Sequence, residues 1–590
     1  PNYRTKRTIT GQVGLFDSQK LTLDMTGAFA PGSKAAYRLV GSLQDSRRYW
    51  SDEARLRGKI LAPMFAYKIS DKTQFTAKLV AAEHWIFREP LLIIDPATNA
   101  GTDDPKLAPG IRKKSLNGIQ PWSHVGTHSA DLFTQLTTSL NENISLRFAA
   151  NGRYYFEDSD QEFLSTPSLN NRYNPVTGDL TQDQTWALAN GALPYNATTN
   201  PYVATNSPFY NLTAIPVRGD IQATRRKTVN LQADLVGNYK FDEVSSQTVS
   251  GVAFSRQTSR GHTQAGTLPA IDLTRPDVRA YPVYAAALAS DQSSSYSNWQ
   301  LYLNERLGFL NNRLFASGSL MRFDTRTTAR NILAGTAPAI LDDAKLMKSA
   351  SILGKIRDNV SLYYSYSTNS SPVIANNLPL WRDGVQHEYG FKTEWFNQRL
   401  SFNGSYFEIE QTNVTIPNPA RQTDPTAPQT LVSDFGNHGV EFELMGSLTP
   451  SLSAVATYSQ LKMRDALGRK VRGVADQNAA LLLNYRFKDG DAKGLALNFG
   501  VTYSGRRAGD TPINYTPLNV VAKTSFFLKP SYGTTAGASY RWQEKYLLRL
   551  HVDNVFDDNG YIVVAGGRVS GTGITTAPGI NVKFSTTVEF

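Results

Sequence analysis

Apolar and polar residues alternate one for one along most of this chain, most cleanly at its end. There Ile580, Val582, Phe584, Thr586, Val588 and Phe590 interleave with Asn581, Lys583, Ser585, Thr587 and Glu589. A period of two puts one set on each face of a β-strand. The same rhythm runs through Leu21, Leu23 and Met25 against Thr22, Asp24 and Thr26, and through Tyr546, Leu548, Leu550 and Val552 against Leu547, Arg549, His551 and Asp553. One face suits lipid and the other could line water. Helical periodicity is scarce, so the chain reads as all-β.

Marking each such segment gives 22 expected strands, among them 54–67, 144–156, 227–240, 247–257, 296–309, 474–487 and 578–590. From the second strand onward, tight turns such as 30–34, 141–143, 310–313 and 357–359 alternate with long excursions: 86–126, 157–226, 258–295, 327–345, 369–384, 413–434, 506–530 and 557–577. A soluble sandwich or propeller has no reason to sort its loops by parity. A transmembrane β-barrel does, with short turns on one rim and long loops on the other. The expected fold is therefore a 22-stranded antiparallel transmembrane barrel with both termini on the short-turn rim. Aromatics near strand ends fit interfacial girdles: Tyr49 with Trp50, Trp85 with Phe87, Tyr154 to Phe156, Trp395 with Phe396, and Tyr540 with Trp542.

Composition closes other routes. The absence of cysteine removes disulfide scaffolds, thiolate metal sites and cysteine nucleophiles. No apolar run approaches the roughly 18 residues of a membrane-spanning helix. A net charge of +11 is scattered without a like-charge block, so nucleic acid is not an expected partner. Nucleophile elbow, phosphate-binding glycine loop and zincin helix are all missing, and no enzyme activity is expected. Of seven histidines only His124 and His128 lie four apart. On a strand that spacing is about 13 Å, which disfavours a shared metal.

The last 230 or so residues carry more specific words. Tyr364-Ser365-Tyr366-Ser367 precedes Glu388-Tyr389-Gly390-Phe391-Lys392, and Gly439-Val440-Glu441-Phe442-Glu443 precedes Gly446-Ser447-Leu448-Thr449-Pro450. Tyr540-Arg541-Trp542 and Asn554-Val555-Phe556-Asp557 follow, and the chain ends on Phe590. In this order the segments resemble the barrel of TonB-dependent outer-membrane receptors, most closely the ferric-siderophore branch. Asn2-Tyr3-Arg4-Thr5-Lys6-Arg7 is similar to the motif that closes the family's N-terminal plug, although Thr8 stands where proline is usual. The resemblance implies a plug remnant at 1–7 and a receptor barrel at 8–590, with the plug and TonB box outside this chain.

The implied function is energised uptake of a ferric siderophore or a similarly large scarce solute. No cofactor is implied, iron entering only as the chelate. Implied partners are the siderophore, the TonB complex and the surrounding outer-membrane lipid, including lipopolysaccharide. With Ile144, Leu146 and Phe148 outward, Arg147, Asn151, Arg153 and Tyr155 point into the lumen, and Glu441 and Glu443 do so farther along. Arg153 and Tyr155 precede the longest loop, and a cation with a π face suits an anionic chelate. That loop adds Trp186, Tyr195 and Tyr210, among other aromatics. These five residues are the expected ligand contacts. Two other readings stay open: a passive porin-like channel, which predicts 16 or 18 strands, and a barrel that binds a partner protein through its long loops.

Overall fold

The computed structural model describes residues 3–87, 92–93, 103, 106–107, 111–115, 120, 122–164, 215–271, 283–335, 337–375, 378–417, 430–464, 468, 470–471, 473–509, 527–563 and 572–590. The chain forms a closed barrel of 22 antiparallel strands, as the alternation and loop parity lead one to expect. The strands are β1 (Lys6–Gly14), β2 (Ser18–Ala28), β3 (Ala35–Arg48), β4 (Ser51–Lys68), β5 (Thr73–Ile86), β6 (His124–Ser139), β7 (Ile144–Leu164) and β8 (Ile215–Phe241). Then come β9 (Val244–Ile271), β10 (Ser290–Phe309), β11 (Leu314–Asn331), β12 (Ala339–Arg357), β13 (Val360–Ala375), β14 (Leu378–Trp395) and β15 (Leu400–Pro417). The circuit ends with β16 (Thr430–Ser447), β17 (Leu452–Arg464), β18 (Gln477–Arg486), β19 (Leu495–Ser504), β20 (Ser531–Trp542), β21 (Tyr546–Asp553) and β22 (Asn581–Glu589).

The seam closes where β1 pairs with β22, Val13 opposite Phe584 and Ile9 opposite Val588. Thr10 and Thr587 share a hydroxyl hydrogen bond of 2.8 Å across it. Closure leaves no free edge in the membrane, where an unpaired backbone group would cost several kcal/mol.

The pairing register fixes which side chains share a face. Leu550 lies opposite Phe584, which lies opposite Val13, and Leu550 and Phe584 are each 45% exposed. On the other face His551 and Lys583 converge on the two carboxylate oxygens of Asp553, at 2.8 and 2.7 Å. A slip of one residue would turn those charges into lipid.

The strands outrun their sequence-derived ends. β8 is 27 residues long and β9 is 28, so 157–164 and 215–226 belong to the wall and not to the loop. The excursion expected at 369–384 is mostly the β13–β14 hairpin. The apolar band needs only about 10 residues per strand. Past it both faces meet water, the alternation fades, and the ladder of backbone hydrogen bonds continues unsignalled.

The girdle reading also needs correction at one place. Trp50 and Phe87 are 2% and 0% exposed and pack edge to face with ring centroids 5.5 Å apart, with Ala54 beside them and Tyr49 and Trp85 against the cluster. They form a small core at the long-loop rim rather than a lipid-facing belt. Trp395, Phe396, Tyr540 and Trp542 are exposed, as a girdle requires. A three-stranded sheet of Leu92–Ile93, Tyr561–Val563 and Thr572–Thr576 sits outside the barrel sheet, and Tyr49 donates its hydroxyl to the Thr576 carbonyl.

Candidate functional site

The inner wall toward the long-loop rim, from β6 across to β14, gathers cations, aromatic rings and amides. Arg153 and Tyr155 lie on the lumenal face of β7, as their alternation with Phe148, Tyr154 and Phe156 demands. Tyr155 donates its hydroxyl to Glu157 at 2.6 Å. Its ring lies between two guanidiniums, those of Arg153 and Arg226, each 5.5 Å from the centroid. Arg226 stands directly opposite Tyr155 in β8. Arg153 also reaches Asp131 of β6 at 3.4 Å, whereas Arg226 has no carboxylate partner among the described residues.

The structure thus brings together two of the expected contacts and adds Arg226 and Glu157. Both additions fell inside a stretch read as loop, where no alternation marked their direction. Trp186, Tyr195 and Tyr210 lie outside the described residues.

Below this group the wall becomes an amide and hydroxyl lattice. Asn230 donates to Asn151 at 3.1 Å and accepts from Ser255 at 2.7 Å, and Gln300 donates to Asn298 at 2.9 Å. Deeper still, the buried Asp234 accepts from Arg147 at 2.6 Å, from Gln232 at 3.1 Å and from the Tyr302 hydroxyl. Tyr302 reaches that carboxylate by lying over Gly251, where a Cβ would stand 2.5 Å from the hydroxyl and 2.6 Å from the Ala233 carbonyl. Only glycine permits the approach.

The other border of the lattice is a hairpin that leaves the wall. β12 and β13 stay paired from Arg357 opposite Val360 up to Ser349 opposite Ser367, and there the ladder stops. β13 and β14 continue together to Ala375 opposite Leu378. At the parting point the Thr368 hydroxyl accepts from the Lys348 N–H at 2.9 Å and donates to the Lys348 carbonyl at 3.2 Å, replacing the lost backbone bonds.

Beyond that point the hairpin's Trp381 and Asp383 lie on the lumenal side chains of β11 and β12. Trp381, 7% exposed, packs on Phe323 with centroids 6.0 Å apart, and on Met347. Its indole donates to Asp343 at 2.8 Å. Lys345 pairs with Asp383 at 3.0 Å, and Ser370 donates to the same carboxylate at 2.6 Å. Phe323 and Met347 share the lumenal face with Tyr302 through Met321 and Gln300. Sequence reading placed Trp381 in a loop, and no local signal showed that its strand crosses back over a neighbour.

Glu441 and Glu443 are lumenal, as expected. With Tyr363, Ser405 and Ser459 they line a recess of about 650 Å³. Tyr363 donates its hydroxyl to Glu388 nearby. The inner wall is therefore electrically uneven, with free cation and π surface at β7 and β8 and carboxylates at β14 to β16. His124 and His128 lie apart from both regions. His124 stacks on Trp85, and His128 lies 3.6 Å from Asp158. What this arrangement offers, among the described residues, is a binding surface of cations, rings, amides and carboxylates.

Comparison with known proteins places these features in context. Residues 136–555 match the family model described as TonB dependent receptor-like, beta-barrel. The ferrioxamine B receptor of Salmonella typhimurium is 24% identical over 312 residues, covering 50% of this chain and 43% of the receptor. The ferripyoverdine receptor of Pseudomonas aeruginosa is 26% identical over 260 residues, covering 42% of this chain and 30% of that protein. These matches span less than half the length of either relative. Among solved structures, the P. aeruginosa ferripyoverdine receptor bound to ferripyoverdine superposes with a TM-score of 0.78 at 16% identity, over 100% of this chain and 72% of that one. The ferric-catecholate import receptor of E. coli K12 gives 0.77 at 15%, over 100% and 82%. At such identities the superpositions speak for the fold.

Proposed function

The chain belongs to the TonB-dependent receptor-like β-barrel family of the bacterial outer membrane, and from that premise we propose that it forms the barrel of a receptor for energised uptake of a ferric siderophore. Its family is one of receptors and transporters, not enzymes. Capture takes place on the upper inner wall. Arg153 and Arg226 attract a chelate of negative charge, the Tyr155 ring offers a π face between them, and the Asn151, Asn230 and Gln300 amides supply hydrogen bonds to its backbone or hydroxyls. Iron stays bound through the siderophore's own oxygens, and no bond is made or broken.

The observation that carries this reading is the Tyr155 ring held between two guanidiniums, one of them without an anionic partner among the described residues. A structural ion-pair network would neutralise its cations, and a ligand site keeps one in reserve. Names of relatives suggest the chelate, ferrioxamine B or ferripyoverdine. Coupling to the TonB complex is assigned to a plug domain and TonB box of the kind the family carries. A lumen of 22 strands is too wide for side chains to fill and needs such a plug. Residues 1–7 are read as the plug's closing segment. Lipopolysaccharide belongs to the same proposal, as the barrel's neighbour in the outer leaflet.

A passive channel is the weaker alternative, because general porins use 16 to 18 strands. Titration of the refolded chain with ferric and iron-free siderophores, read by tryptophan fluorescence, separates the two. The expected result is saturable quenching by at least one ferric hydroxamate or pyoverdine below about 10 μM, an affinity of roughly −7 kcal/mol. Uniformly weak, unsaturable quenching across the panel would support a channel.

A further inference from the structure

Beyond Arg226 the wall treats its two faces differently, although both meet water. On the outer face Arg225 stands opposite Arg260, His262 opposite Asp291, and Ser293 opposite Arg330. On the lumenal face Arg226 stands opposite Ser259, which stands opposite Ser294. One step higher Thr224 faces Gly261, which faces Gln292, and above them Gln222 faces Thr263. Solvation alone asks only for polarity and would scatter charge over both faces. Over these three lumenal rows, from β7 to β11, charge stops at Arg226 and Glu157, and hydroxyls and amides take over.

These neutral groups are also unengaged. Lower on the wall Asn230 is bonded to Asn151 and to Ser255. The side chains of Gln222, Thr224, Ser259, Thr263, Gln292 and Ser294 make no hydrogen bond among the described residues. Together they line a recess of about 580 Å³, inside the range of roughly 300–1,000 Å³ usual for small-molecule sites. Its middle is open because Gly261 carries no side chain, and a Cβ there would stand 3.1 Å from the Thr224 hydroxyl oxygen. A ligand backbone can therefore come close to the strand.

We propose that this recess holds an uncharged, amide-bearing arm of the ligand whose anionic part lies on Arg226 and Tyr155. The proposal rests on the capture reading above and deepens it: the chelate carries a neutral, peptide-like extension and is not compact. Contiguity supports this, because the recess begins on the very row of Tyr155 and Arg226, at Ser259. Spacing favours amides. Side chains on one face of a strand recur every two residues, about 6.8 Å, and so do the like-facing amides of an extended peptide. Hydroxyls and carboxamides both give and take hydrogen bonds, so they match the N–H and the C=O of such an arm. A sugar would ask for an aromatic ring to stack on, and among the described residues none lines the recess. A charged arm would meet no counter-ion there.

The test uses the whole 590-residue chain refolded in detergent and titrated by calorimetry. The probes are a synthetic ferric tris-catecholate, an anionic chelate, and the same chelate bearing either a short serine–glycine amide tail or a glucosyl tail of similar size. The amide-tailed probe is expected to bind about ten-fold more tightly than the bare one, the gain of a few neutral hydrogen bonds. Raising the salt concentration is expected to weaken both while leaving their ratio unchanged, since only the charged contacts are screened. The variants T224V/S259A/T263V and G261L are each expected to bring the ratio close to one. T457V, opposite Glu443 on the carboxylate wall, is expected to keep it. Equal affinity of the tailed and bare chelates, or an unchanged ratio in either variant, overturns the proposal. So does a ratio that collapses with salt, or an equal gain from the glucosyl tail. Should the triple variant fail to refold, G261L and the wild-type comparison decide. A bare chelate that binds while the tail adds nothing counts against this recess alone, and failure of every probe to bind counts against the capture reading too.

Discussion

The indole N–H of Trp381 donates to the carboxylate of Asp343 across 2.8 Å, although their strands, β14 and β12, are not neighbours in the barrel. That bond, with the Lys345–Asp383 pair and the packing of Trp381 on Phe323 and Met347, fastens an inward-bent hairpin to the lumenal wall.

Replacing Trp381 with alanine is expected to free the hairpin while the barrel stays folded. Truncating a buried aromatic costs about 3–5 kcal/mol, here charged to the hairpin's docking. Limited proteolysis is expected to cut between residues 368 and 385 in the variant and not in the wild type, with a heat-modifiable barrel remaining on gels. W381F keeps most of the packing and loses one hydrogen bond, about 1 kcal/mol, so it is expected to fall between. Equal resistance in all three proteins would mean that other contacts hold the hairpin.

Alanine at Tyr155 or Arg226 is expected to weaken capture of the ferric siderophore about five- to thirty-fold each, a loss of about 1–2 kcal/mol. R153A should weaken it less, because Arg153 already shares its charge with Asp131. Deleting 165–214, which leaves the ends of β7 and β8 intact, is expected to abolish capture by a folded barrel. Fluorescence titration of each variant checks this, and an undiminished affinity in Y155A would remove the ring from the site.

Gly251→Ala is expected to lower stability without touching the ligand site. The new methyl would collide with a backbone carbonyl as well as the Tyr302 hydroxyl, and overpacking of this kind costs about 1–3 kcal/mol. D234A removes the acceptor shared by Arg147, Gln232 and Tyr302, and leaves a cation unpaired. It is expected to cost more, about 1–3 kcal/mol for each half-buried donor, Gln232 and Tyr302, left without its acceptor, the Arg147 guanidinium being 44% exposed and able to reach water. Urea midpoints in lipid vesicles give the order, and G251A at the wild-type midpoint would show that the strands spread freely.

On the outer wall, Leu550→Arg is expected to destabilise insertion by about 2–4 kcal/mol if the residue lies near the midplane. Arg549→Leu, on the opposite face, should be close to neutral. Equal effects of the two changes would contradict the register that pairs Leu550 with Phe584.

Lipid made much of this fold legible. A strand with hydrocarbon on one side and water on the other must alternate, so 578–590 could be read straight from its side chains. Arg153 and Tyr155 were legible for the same reason, because Phe148 and Tyr154 told which way was out. Legibility ended where the lipid did. Arg226 lies one residue before the stretch read as a strand, and Asn369 to Gly384 were read as loop, since a ribbon with water on both faces carries no phase. Trp50 and Phe87 were read as a girdle because an aromatic near a strand end looks the same whether it meets lipid or a folded rim. Trp381 is the extreme case: its place depends on where a ladder stops, which is a property of two strands and not of one.

The pairing of Thr10 with Thr587 sets a condition on how the molecule is made. Their hydroxyls meet across 577 residues of sequence. No shorter prefix of the chain can close, and until β22 arrives β1 presents an open row of backbone donors and acceptors, a template for adhesion to other chains. Among the described residues every other ladder of the barrel wall joins strands consecutive in sequence and can form early, so closure of the wall is a single long-range encounter whose loop entropy is offset only when it is complete. The barrel can therefore be finished only once β22 has been made, with β1 kept apart from other edges until the two find one another.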